Sequence, residues 1–317
     1  MKVVLRGSDQ ALMDLVTARF PDVTFRFAPT PADEVREIVD ADAFHGQPSR
    51  EAFLAARRLR WIHEPGTSID RYKGEIPELV ESEVVLTNAR GPHVQPMADH
   101  AFAMLLALTH HIPELWEDKK ARRWDGSRYS GQMVDLEGKT MGILALGDLG
   151  LAVARRAPGF GLKVRAVDVR PIDPPPGVES VWGPERLDEL LALSDVFVVT
   201  APLTDRTRGL VDRRRVGLLP AGAFVIVISR GNIVDEDALV EGVRAGRIAG
   251  AGLDTTSQEP LPPDSPLWEV ENILISPHCS ALSPSLWAGR REIYAENLRR
   301  FLAGEPFLYV CDKREGY

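Results

Sequence analysis

The sequence predicts an α/β protein built from two doubly wound parallel sheets. Three observations carry this: short β-branched runs alternate with helical patterns from end to end, one strongly apolar helix interrupts the alternation, and a second strand series follows it. A chain of 317 residues also suits two domains, because single cores stop growing near roughly 250 to 300 residues.

In chain order, residues 2–5 (KVVL), 23–27 (VTFRF), 61–63 (WIH) and 84–87 (VVLT) read as strands of a first sheet. From Pro96 the stretch MADHAFAMLLALTHHI is apolar almost all round, which predicts a buried helix joining two bodies. The second series is 140–146, 163–167, 196–200, 223–228, 248–253 and 273–276, with helical patterns between. The Pro-rich segment 171–177 reads as a surface loop, since regular patterns resume directly after it. A last helix, 283–302, precedes an extended tail, PFLYVCDKREGY, and the chain is expected to return to its first body there. The expected division is 1–95 with 284–317, and 96–283.

Composition narrows the function. With 44% hydrophobic and 26% charged residues the chain is globular, and 38 Lys and Arg against 46 Asp and Glu give a net charge of −8. There is no long basic stripe to displace counterions from a phosphate backbone, so nucleic acid is not an expected partner. The short basic runs at 57–60 and 213–215 read as solvated helix faces. Two cysteines, Cys279 and Cys311, form no CxxC or zinc spacing, so no metal is expected and a reducing compartment is. No segment has the length and apolarity of a signal peptide or membrane span, so a soluble cytoplasmic protein is expected.

The strand at 140–146 runs into Gly147, Asp148, Leu149 and Gly150, then a helical pattern. This is the setting of a dinucleotide fingerprint, in which glycines make the turn, admit the pyrophosphate and let helix and strand approach. Ala145 stands at the first glycine position; either the turn keeps φ negative and tolerates the methyl group, or cofactor binding is loosened. Asp168 ends the next strand, where a carboxylate accepts from a ribose diol and repels a 2′-phosphate, favouring NAD; Arg170 keeps NADP open. Arg230, Glu259 and His278 follow three later strands, at the carboxyl ends where ligands of open α/β sheets bind. An arginine can fork onto a carboxylate and a carbonyl oxygen, a histidine exchanges protons near neutrality, and a neighbouring glutamate favours the imidazolium. Taken singly, each is better explained otherwise: Arg230 as a helix-loop salt bridge, Glu259 as a solvated loop carboxylate and His278 as a capped loop histidine.

RGNIVDEDALVEGVRAGRIAGAGLDTTSQEPLPPDSPLWEVENILISPHCSA resembles the signature stretch of the D-isomer-specific 2-hydroxyacid dehydrogenases. The likeness extends back to TNARGPHVQPMADHAFAMLLAL and forward to CDKREGY, whose close is similar to that of glyoxylate/hydroxypyruvate reductases. The resemblance implies a flavodoxin-like substrate domain and a Rossmann cofactor domain with a cleft between them. It implies that Arg230 binds the 2-oxo acid, Glu259 is the catalytic glutamate, His278 the acid/base, and Asp254 the aspartate near the nicotinamide carboxamide. It assigns Gly147, Asp148 and Leu149 to the pyrophosphate, Asp168 to the ribose, and Pro202 and Thr207 to the loop beside the cofactor. Thr67 and Ser68, in GTSID, fall on the loop whose backbone holds the substrate carboxylate. Ser68 stands where the family usually has glycine, and Asp99 where it has glutamate. A homodimer through MADHAFAMLLAL and the arm around Trp116 and Trp124 is implied as well.

Ser68, Trp287 and Met97 are the candidates for substrate selection. His93 and His100 read as packing or hydrogen-bonding residues, the adjacent His110 and His111 lack any metal-ligand spacing, and Cys279 reads as a small apolar neighbour. The expected reaction is hydride transfer between NAD(H) and a small D-2-hydroxy acid or 2-oxo acid. The rivals are a nonenzymatic NAD(H)-dependent partner-binding protein and a phosphite-type dehydrogenase; the glutamate at 259, where formate enzymes usually carry glutamine, argues against formate.

Overall fold

A computed structural model describes residues 1–170 and 172–316. The chain divides into two compact units, Met1–His93 with the segment from Ser283 onward, and Val94–Leu282.

The first unit holds β1 (Lys2–Arg6), β2 (Thr24–Ala28), β3 (Ala43–His45), β4 (Trp61–Glu64) and β5 (Val85–Asn88), all parallel, in the order β2-β1-β3-β4-β5. This is the flavodoxin-like strand order. β3 escaped the sequence reading because its three residues, AFH, include no β-branched side chain. Helices alternate with the strands under strong local signals: Asp9 caps Gln10–Arg19 through the Leu12 N–H, and Thr30 with Asp33 forms a reciprocal capping box on Pro31–Ile38. The final helix, Pro284–Ala303, stops at Gly304 in the left-handed region, φ 67°. It is keyed to the sheet by aromatic rings, Tyr294 stacking on Trp61 at 5.5 Å and Phe301 and Phe307 closing round the indole. The extended tail bridges Thr87 through Val310 in the antiparallel sense; Tyr317 at its end lies outside the described residues.

The second unit holds β6 (Thr140–Leu144), β7 (Lys163–Val167), β8 (Val178–Trp182), β9 (Val196–Val199), β10 (Ala223–Val227), β11 (Ile248–Leu253) and β12 (Ile273–Ile275). All pair in parallel, in the order β12-β11-β10-β9-β6-β7-β8. This is the Rossmann order extended by one strand, with its switch point between β6 and β9. β8, VESVW, is a seventh strand where the sequence showed six; it follows the Pro-rich segment, whose first residue, Pro171, lies outside the described residues.

The apolar helix is Val94–Thr109, and it packs on this sheet. Its burial is one-sided rather than all round, with Gln95, Asp99 and Ala103 exposed. Glycines on β11 admit it: a Cβ at Gly252 would lie 2.8 Å from Met104, and one at Gly250 3.0 Å from Leu108. Met97, a candidate for substrate selection, is a packing residue of this core, 7% exposed. The arginines 213–215 form surface ion pairs with Glu241 and Asp188, in keeping with a solvated face.

Candidate active site

The candidate reacting groups of the second unit lie on the loops that follow β10, β11 and β12. β10 delivers Arg230, whose Nη1 donates to its neighbour's carbonyl, Ser229 O, at 2.7 Å. The next residue must be glycine, since a Cβ at Gly231 would lie 2.0 Å from Thr256 O. The arginine loop and the glutamate loop are therefore in backbone contact. Asn232, at φ 61°, reinforces this by donating from Nδ2 to Ser257 O at 2.9 Å.

β11 delivers Asp254 and the turn 255–259. Glu259 Oε1 accepts the Thr256 N–H at 3.2 Å, and Glu259 Oε2 lies 2.8 Å from His278 Nδ1. Glutamate and imidazole, 19 residues apart in sequence, thus form a direct pair. With 43% of the His278 side chain and 39% of the Glu259 side chain exposed, both can meet a small molecule. Occupying Nδ1 with the carboxylate leaves Nε2 as the nitrogen that exchanges protons outward.

His278 sits in the left-handed region, φ 50°, where a non-glycine residue needs external support. Asp254 supplies it. Its carbonyl accepts the His278 N–H at 2.9 Å, and its fully buried carboxylate accepts from Ser276 Oγ at 2.5 Å, Cys279 N–H at 2.9 Å and Ser280 N–H at 3.2 Å. His100, on Val94–Thr109, reaches the same network, with Nε2 2.9 Å from Ser276 Oγ. The carboxylate of Asp254 is directed into the histidine loop, an arrangement the sequence does not reveal.

The nucleotide fingerprint lies at the switch point. Ala145 adopts φ 74°, so the negative-φ alternative for this residue is wrong: the turn demands the left-handed conformation and the alanine bears it at a cost. Helix Asp148–Arg156 begins at Gly147 with no side chain capping its amide groups, and a Cβ on Gly147 would meet only open space. A Cβ on Gly150 would lie 2.3 Å from Ala145 O. Uncapped helix amides behind an open glycine fit a pyrophosphate, so Gly147, Asp148 and Leu149 suit that group.

Asp168 directly follows β7 and is 6% exposed. Its Oδ2 accepts the Leu146 N–H at 2.7 Å, while its Oδ1 accepts the Arg170 N–H at 2.8 Å and Nε at 3.1 Å. Burial works to raise this carboxyl, but the Arg170 side chain and the two backbone N–H groups outweigh it and hold the group below the usual carboxylate range. Arg170 therefore folds over the aspartate and neutralises it. Across the switch point, Thr207 Oγ1 donates to Pro202 O at 2.7 Å and fixes the 202–207 turn, and Thr200 Oγ1 donates to Ala145 O at 2.6 Å.

In the first unit, Thr67 and Ser68 follow β4. The loop is held at the Thr67 carbonyl by Asn88 Nδ2 at 2.6 Å and at the Gly66 N–H by Glu64 Oε1 at 2.8 Å. Glu64 is itself buried and accepts from the Tyr72 hydroxyl at 2.8 Å. Trp287, on the final helix, is half exposed, with the Arg290 guanidinium 5.2 Å from its ring centre.

Comparison with known proteins gives the family. Residues 102–280 match the family description D-isomer specific 2-hydroxyacid dehydrogenase, NAD binding domain. The chain is 34% identical over 260 residues to a glyoxylate reductase of Korarchaeum cryptofilum, covering 80% of this chain and 76% of that one. It is 33% identical over 303 residues to a D-3-phosphoglycerate dehydrogenase of Mycobacterium leprae, covering 93% of this chain but 54% of the relative, so it spans about half of that longer protein. Among solved structures, a D-isomer specific 2-hydroxyacid dehydrogenase from Xanthobacter autotrophicus Py2, in complex with NADPH and MES, superposes with a TM-score of 0.83 at 30% identity over 99% of both chains.

Proposed function

Because the chain belongs to the D-isomer-specific 2-hydroxyacid dehydrogenase family, and so is an NAD(P)-dependent oxidoreductase of 2-hydroxy and 2-oxo acids, we propose that it works as a reductase of a small 2-oxo acid through Arg230, Glu259 and His278. The observation that carries the reading is the 2.8 Å contact of Glu259 with His278 Nδ1. The carboxylate fixes the ring and favours the imidazolium, so Nε2 presents a proton toward a substrate carbonyl oxygen. Arg230 grips carboxylate and carbonyl together and polarises the latter. Thr67 and Ser68 offer backbone N–H groups to the carboxylate. The nicotinamide, when bound, supplies the hydride.

Gly147, Asp148 and Leu149 would hold the pyrophosphate, Pro202 and Thr207 the adjoining face, and Asp168 the ribose, with Asp254 fixing the histidine loop beside the nicotinamide. NAD is the preferred cofactor on this reading, supported by the carboxylate at the end of β7; the Arg170 guanidinium, already at that carboxylate, is the group that would meet a 2′-phosphate. The nonenzymatic and phosphite readings have no observation in their favour.

We also propose a homodimer. Ile112, Leu115, Trp116, Trp124 and Met133 are exposed on the arm after Val94–Thr109, and a cluster of large apolar side chains on one segment marks an association surface. No helix among the described residues is long and apolar enough to cross a membrane; two free thiols, Cys279 and Cys311, support a cytoplasmic setting.

The test is nucleotide oxidation by the purified protein, with NADH and NADPH separately, across glyoxylate, hydroxypyruvate, pyruvate and an aromatic 2-oxo acid. Turnover favouring NADH and a small 2-oxo acid is the expected result. No turnover with either nucleotide across the panel would overturn the proposal.

A further inference from the structure

Glu236 opens the helix Glu236–Arg244, directly after its Asp235 cap. A glutamate in a first helical turn is ordinarily a solvated partner of the helix dipole. Here it turns outward from the helix to hold another loop: Oε1 accepts the Ser257 N–H at 2.5 Å and Oε2 accepts Ser257 Oγ at 2.7 Å. Both oxygens are thus engaged by one residue, in the middle of the turn that carries Glu259.

The same turn is gripped from a second side by Gly231 and by Asn232, whose amide donates to Ser257 O. Ser257 is therefore fixed at its N–H, its hydroxyl and its carbonyl, and the neighbouring Thr256 N–H is aimed at Glu259 Oε1. Burial is the main influence raising the Glu236 carboxyl; the Ser257 hydrogen bonds work against it, and the charges of Asp237 and Glu259 add to it. Placing a carboxylate near Glu259 costs electrostatic energy, and the bidentate hold on Ser257 is what offsets that cost.

We propose that Glu236 is a positioning residue for the reaction, fixing the 255–259 turn through Ser257 so that Glu259 meets His278 Nδ1. This rests on the roles given above to Glu259 and His278. It predicts a defect confined to steps that need the Glu259–His278 pair, because a misplacement of about 1 Å can cost on the order of 100-fold in rate while leaving substrate binding largely intact.

The experiment compares Glu236→Ala, Glu236→Gln and Ser257→Ala with the parent chain by steady-state 2-oxo acid reduction, NADH binding and thermal melting. It then repeats Glu236→Ala in a His278→Asn background. Expected are a fall in kcat of about tenfold or more for Glu236→Ala, with KM and NADH affinity within about twofold. Glu236→Gln should recover most of the loss, since its amide oxygen can accept the Ser257 N–H. In the His278→Asn background Glu236→Ala should lower the residual rate no further, because the group it positions is gone. Should Glu236→Ala fail to fold, Ser257→Ala carries the same comparison and should give the same-signed loss. An active parent whose variants keep full kcat, or lose rate equally in both backgrounds, overturns this inference alone. A parent inactive across the substrate panel overturns it together with the proposed function.

Discussion

Several residues of the candidate site adopt backbone states that side chains ordinarily avoid. His278 at φ 50° and Asn232 at φ 61° are held by hydrogen bonds they donate, the His278 N–H to Asp254 O and Asn232 Nδ2 to Ser257 O. Ala145 at φ 74° sits where glycine is conformationally free, and a left-handed non-glycine residue costs about 1 kcal/mol or more. Ala145→Gly should therefore raise the stability of the second unit by about 1 kcal/mol. Urea unfolding checks this through its midpoint; an unchanged or lowered midpoint would show that the methyl group is not the source of strain. The alanine itself is plain in the sequence. The sign of its φ is not, because that belongs to the turn the folded chain makes there.

At the scale of elements, legibility followed the length of the signal. Runs such as AFVIVI and IAGAGL are long enough to declare buried parallel strands, whereas β3 has three residues and draws its stability from pairing with β1 and β4 on either side. VESVW, β8, hangs at the sheet edge beyond β7 and, among the described residues, pairs with that strand alone. The motif loops were readable because each follows a strand end. What joins them was not: Glu236 lies 21 residues before Ser257, and no local pattern announces that a first-turn glutamate leaves its helix to hold a distant turn. The same holds for Asp254, whose carboxylate is committed to Ser276, Cys279 and Ser280 by folding.

Over the whole molecule, the buried histidines of the first unit make stability depend on acid. The core of the first unit buries His63 completely and sets His45 against Tyr294, with ring centres 4.5 Å apart. Burial lowers the His45 imidazole to about 4 and takes His63 well below its ordinary value. An unfolded histidine titrates near about 6.5. Between these values the unfolded chain binds a proton that the folded chain refuses, so stability falls as pH drops from about 6.5 toward 4, and His45 contributes no further loss below that. Denaturant melts of the parent and of His45→Asn between pH 7 and 4.5 should show a shallower pH slope in the variant. Equal slopes would exclude His45 as a source of acid sensitivity.

The proposed reduction turns on His278, held by Glu259, as the proton donor. Its most direct measurement is the pre-steady-state and steady-state rate of 2-oxo acid reduction by His278→Ala, alongside NADH affinity by fluorescence. Turnover should fall by about 100-fold or more, the scale of general acid catalysis, with NADH affinity changed little. Near-normal turnover in a folded, NADH-binding His278→Ala protein would contradict it.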